Sequence, residues 1–173
     1  ELRTITDLTT ACRAQLRGWP LDDVLIQTDR ALTQAAGRYA AGGRLDDQNL
    51  AWLTALLAAE PAARDLAWHH LLARASSVNP DRQLDQSLWS DVLRRCHPEC
   101  AATPGVLLAY ACWRCGGGIR ARAAVDRALA ADPDDHAALL IAELLDRAVP
   151  PTMLDGLVRV APAASGLDRP ATP

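Results

Sequence analysis

Among 173 residues there is no lysine and no phenylalanine, and there are only two tyrosines and one methionine. Every basic side chain is therefore arginine, which, with the heavy use of alanine, reads as the coding bias of a GC-rich genome. Eighteen arginines against 21 acidic residues leave a formal net charge of −3, so the chain as a whole has no bulk attraction for nucleic acid or anionic lipid. Long apolar runs are also missing: the uncharged stretch around Leu50 to Ala59, about a dozen residues, falls well short of the roughly 20 that cross a bilayer. No basic segment followed by an apolar one opens the chain as a signal peptide would. These absences predict a soluble, cytoplasmic protein without a membrane partner. Five cysteines are an odd number in a chain that can bury a core without staples, which predicts reduced thiols. Residue 1 is Glu rather than Met, and the expectation is a piece of a longer protein.

What is present is helical. Half of the residues are apolar and 23% are charged, which excludes wholesale disorder. The apolar positions recur with helical spacing almost everywhere, and no strand-like alternation is found. Thr4 to Arg17 reads as a first helix. Leu21, Val24, Leu25, Leu32, Ala35, Ala36 and Tyr39 fall on one side of a second, which Gly42-Gly43 ends. Asp46 or Asp47 caps a third, and Pro61 both ends it and starts a fourth, to about Ala75. After a loop at Ser76 to Asp81, Leu84, Leu88, Val92 and Leu93 stripe a fifth helix that His97-Pro98 stops. Thr103-Pro104 and Asp132-Pro133 each read as a cap followed by proline, opening helices to Cys115 and Arg147. Between those two, Ile119 to Ala131 makes a helix of its own. Pro150-Pro151 starts a last helix to about Val160, and residues 161–173 read as a tail. The expectation is an all-α chain of about nine antiparallel helices, stacked as hairpins in a bundle or short right-handed α-solenoid. Residues 1–44 form N-terminal helices, either a linker or packed on the bundle, and 45–160 form the helical-hairpin domain.

One internal unit resembles a tetratricopeptide repeat. It runs from Leu107-Leu108-Ala109-Tyr110-Ala111-Cys112-Trp113-Arg114 through the turn at Gly116 to Ala121, Ala128-Leu129 and Asp132-Pro133. It departs from that pattern at Ala109, where glycine is usual, and at Cys112, where an aromatic is usual. A longer series takes in Arg64-Asp65, Trp89, Val92-Leu93, Leu107-Leu108-Ala109, Ala111 to Arg114, Ala124, Asp126 to Leu129, Leu139-Leu140 and Pro150-Pro151. In this order, over Leu45 to about Leu157, it resembles the C-terminal half of an actinobacterial family known as domain of unknown function 4192. The resemblance implies a C-terminal helical portion and carries no activity with it. Members of that family carry a Gly-Phe-His-Pro-like segment upstream, and nothing similar stands here.

Several constellations look chemical. Cys96, Cys100, Cys112 and Cys115 supply the four thiolates of a structural zinc site, which must converge within about 2.3 Å of the metal. In a helix opening near Pro104, however, Cys112 lies roughly 12 Å along the axis, while Cys96 sits at the other end of the hairpin. The expectation is therefore that Cys112 and Cys115 are small core residues packed with Leu108, with no metal or other cofactor. Cys112 and Cys115 also have redox-motif spacing, but they stand in the last turns of a helix, where the dipole does not favour a thiolate. His69 and His70, with Asp65 one turn earlier, are the only candidates for a catalytic group, and they lack an identifiable nucleophile. Gly116-Gly117-Gly118 has neither the preceding strand nor the lysine of a phosphate loop.

The remaining feature is a basic hairpin: Arg114, Arg120, Arg122 and Arg127, less Asp126, give a local charge of +3. The five tryptophans are not interleaved with these arginines, which counts against base stacking. The leading expectation is a non-enzymatic protein-interaction module with a helix-lined groove near residues 104–147. Its surface would be formed by Tyr110, Trp113, Arg114, Arg120, Arg122 and Arg127, and its partner would be a protein rather than a nucleic acid. The alternatives are binding of nucleic acid or a phosphate ligand through residues 114–127, and a structural zinc domain.

Overall fold

Eight α-helices and one 3₁₀ turn account for the regular structure among the residues that the computed structural model describes, 2–75 and 82–153; no strand occurs among them. In chain order the helices are α1 (Leu2–Leu16), α2 (Leu21–Ala40), α3 (Asp47–Ala59), α4 (Pro61–Ala75), α5 (Arg82–Arg95), α6 (Ala102–Arg114), α7 (Gly118–Ala131) and α8 (His136–Asp146). The all-α class is as the periodicity predicts. The loop at 76–81, most of the expected last helix and the tail at 161–173 lie outside the described residues.

Local chemistry explains most helix ends. Asp46 accepts from the Asn49 backbone N–H at 2.8 Å and caps α3, and Pro61 occupies the first position of α4, where its missing N–H costs nothing. Two expected starts are corrected. At 132–135 the capping carboxylate is Asp135, which accepts from Ala138 N–H at 2.9 Å, and Asp132 instead closes α7. Helix α6 begins at Ala102, before Thr103-Pro104, because Pro98–Cys100 forms a 3₁₀ turn that leads into it. Thr103 and Pro104 are buried in its first turn.

The core is continuous through both halves of the chain. Ile5 of α1, Leu32 and Ala35 of α2, Leu50 and Leu53 of α3, Trp89 of α5, Leu107 of α6, Val125 of α7 and Ile141 of α8 belong to one buried cluster. A second cluster joins Cys12, Leu16, Val24, Ala51, Ala55, Leu56 and Ala63. Helices α3 and α6 are apolar on nearly every side and run through the middle, as such helices must. The Thr54 hydroxyl, buried inside α3, donates to the Leu50 carbonyl at 3.0 Å.

Consecutive hairpins describe only part of the packing. Helices α5 to α8 stack in chain order, but in the first half the partners interleave: α1 lies chiefly against α3, and α2 against α4, α3 and α5. The α6–α7 contact is the most extensive, and its intimacy rests on small residues. A Cβ on Gly105 would stand 2.9 Å from the Ala124 carbonyl oxygen and 2.9 Å from the Ala128 Cβ. At the other end, Gly116 takes φ +74°, and the Gly117 N–H bonds the Cys112 carbonyl at 2.9 Å, which closes the helix.

Candidate functional site

The six residues expected to form one interaction surface are divided by the fold into four settings. Trp113 is 4% exposed, and its indole N–H donates to the Val149 carbonyl at 3.1 Å, so it is a core residue. Tyr110 packs edge-on against Trp68 of α4 at 5.2 Å, and the Arg114 guanidinium lies 5.9 Å from its ring centre. Arg122 turns toward α8, where it pairs with Asp146 and donates to the Ala142 carbonyl. Only Arg120 and Arg127 face α5. Seven residues apart, they share one side of α7.

Across from them, α5 presents Gln86, Ser90, Leu93 and Arg94, again on one helical face. Leu108 and Cys112 of α6 lie between, and Ala123 and Ala124 complete a groove of about 230 Å³. Its floor is apolar, its rim carries Arg94, Arg120 and Arg127, and no acidic residue lines it. Arg120 reaches over to Gln86 Oε1 at 2.7 Å, a neutral acceptor. The groove lies one helix earlier than the 104–147 placement, since α5 forms one wall. Periodicity could not show which helix packs beside α6 and α7.

Behind the groove stands an ionic hub that sequence reading missed. Asp91, 5% exposed, accepts from the Tyr39 hydroxyl at 2.5 Å, from Arg94 at 2.8 Å, from Arg95 at 2.7 Å and from Arg44. Arg95 also donates to Asp47 at 2.6 Å and to the Leu45 carbonyl at 2.9 Å. Burial pushes the Asp91 carboxyl up, but the hydrogen bonds from Tyr39, Arg44 and Arg95 overcome it and hold it down at about 2. Burial and the adjoining Asp91 carboxylate push the Tyr39 phenol up to about 12. The hub ties the α2–α3 connection to α5, and it thereby sets the wall that carries Arg94.

Among the described residues no three His, Cys, Asp or Glu side chains are gathered to hold an ion. Cys96, Cys100 and Cys112 are buried, and burial raises each thiol above its ordinary value, Cys96 to about 12. Cys115 is exposed, contrary to its expected place in the core, because α6 ends there and the chain turns away. His69 Nδ1 bonds the Asp65 backbone carbonyl at 2.9 Å, not its carboxylate, and His70 Nε2 meets Asp29 Oδ1 of α2 at 2.8 Å.

Among the described residues no helix is long and apolar enough to cross a membrane. A family model described as Domain of unknown function (DUF4192) matches residues 2–152. The match takes in α1 and α2 as well as the helices that follow Leu45. No curated protein matches, and no solved structure does.

Proposed function

The chain belongs to this family of unknown function, and we propose that it is a non-enzymatic interaction module whose α5–α7 groove receives an acidic helical segment of a protein partner. The observation that carries this reading is the lining of the groove: an apolar floor of Leu93, Leu108, Ala123 and Ala124 beneath three arginines and no acid. Arg120 and Arg127 stand about 10 Å apart along the α7 axis, which matches acidic side chains seven residues apart on a docked helix. The Arg120 bond to neutral Gln86 can be exchanged for a stronger one to a carboxylate. The tetratricopeptide-like α6–α7 hairpin supports the reading as an analogy of form. A cytoplasmic setting accords with the five free cysteines.

The test is fluorescence anisotropy with a labelled helical peptide carrying glutamates seven residues apart and alanine and leucine between them. The natural chain is expected to bind it, and Arg120→Glu and Arg127→Glu each to weaken it about tenfold, or about 1.4 kcal/mol. Equal binding by the natural chain and the doubly reversed variant sinks the proposal. A second reading, a single-stranded nucleic acid on the same arginines, is favoured by the acid-free rim. It predicts that an oligonucleotide displaces the peptide and that affinity falls steeply with salt.

A further inference from the structure

The C-terminal end of α1, the turn at 17–20 and the end of α3 line a cleft of about 530 Å³, within the range of small-molecule sites. The space exists because α3 presents Ala55, Ala58 and Ala59 to it rather than larger side chains. Trp19 forms an apolar wall and is held edge-on by Trp52, with ring centres 5.8 Å apart. Three charged residues line the cleft: Arg13, Arg17 and Glu60. Arg13 is engaged by Glu99 at 2.9 Å. Arg17 and Glu60 share the cleft, yet among the described residues neither has an ion-pair partner, not even the other.

We infer that this cleft binds a small zwitterion with an apolar side chain, the chemistry of a free α-amino acid. A simple anion drawn by Arg17 meets Glu60, and a simple cation drawn by Glu60 meets Arg13 and Arg17. A molecule carrying a carboxylate and an ammonium satisfies both, with its side chain against Trp19 and the alanines. This inference is independent of the α5–α7 groove.

Isothermal titration of the full chain with L-phenylalanine tests it, alongside 3-phenylpropionate, which lacks the ammonium, and 2-phenylethylamine, which lacks the carboxylate. Phenylalanine is expected to bind saturably, and each analogue at least about tenfold more weakly. Arg17→Gln should erase the preference over 2-phenylethylamine and keep that over 3-phenylpropionate. Glu60→Gln should do the reverse. Arg17 is exposed and Glu60 half-buried, and among the described residues neither is ion-paired, so the melting curves should be unchanged. Absence of saturable phenylalanine binding, equal binding of 3-phenylpropionate, or preferences untouched by both substitutions would each overturn the inference.

Discussion

Replacing Asp91 with alanine is expected to destabilise the protein by about 3 kcal/mol, the lower end of the cost of breaking a buried ion pair. The estimate follows from how the partners divide. Arg44 and Arg94 have side chains 57% and 66% exposed, so water replaces the lost carboxylate at little cost. Arg95 is only 15% exposed and keeps Asp47 as its one carboxylate, beside the Leu45 carbonyl, while Tyr39 loses its acceptor. Such a loss is a large part of the stability of a chain this size. The carboxyl is held at about 2 in the folded protein, below the ~3.9 of free Asp. Its contribution is therefore complete above about pH 5 and disappears as the pH falls from about 4 through about 2. Tyr39 has the opposite sign, since its folded value of about 12 lies above the ordinary 10. Its contribution is present below pH ~10 and is lost as the pH rises through about 12. Urea unfolding of the natural chain and of Asp91→Asn at pH 7 and pH 2 checks the acid limb. The gap between the two should close at the lower pH, and a gap of constant size would show that the charge of Asp91 is not its source.

Gly105→Val is expected to cost about 3 kcal/mol, at the top of the range for overpacking. The first added carbon would meet the Ala124 carbonyl oxygen, the Ala128 Cβ at 2.9 Å and the Ala128 Cα at 3.2 Å. Backbone atoms cannot rotate aside, so α6 and α7 must spread and the α5–α7 groove must widen with them. Gly37 in α2 is the contrasting case. It is exposed, and a Cβ there meets nothing within 4 Å, so Gly37→Ala should stabilise by about 0.5–1 kcal/mol through backbone entropy and helix propensity. Thermal unfolding of both variants decides the matter. Opposite signs are expected, and a stabilised Gly105→Val would mean that the hairpin is looser than this packing.

The cysteines and arginines show where local reading stops. That Cys112 is buried followed from its place one turn after Leu108, which is local. That Cys115 is exposed did not, because it depends on where α6 frays and which way the turn leaves. The basic hairpin was legible as a charge excess, but its division among Tyr110, α8 and α5 was not, since each arginine chooses among acceptors on helices far away in the chain. Asp91 carried no signal at all: its four partners, Tyr39, Arg44, Arg94 and Arg95, include two residues about 50 positions away.

By itself, then, the sequence determined the class and most of the helices, because the 3.6-residue period, the Asp46 cap and Pro61 act within a turn or two of the residues concerned. The tertiary structure alone decided that α1 packs on α3 rather than on α2, that α2 reaches α4 and α5 as well as its chain neighbour α3, that α5 walls the groove, and that Arg17 and Glu60 share a cleft unpaired. Apolar stripes attract one another without direction, so periodicity says which face is buried and leaves open which helix it is buried against.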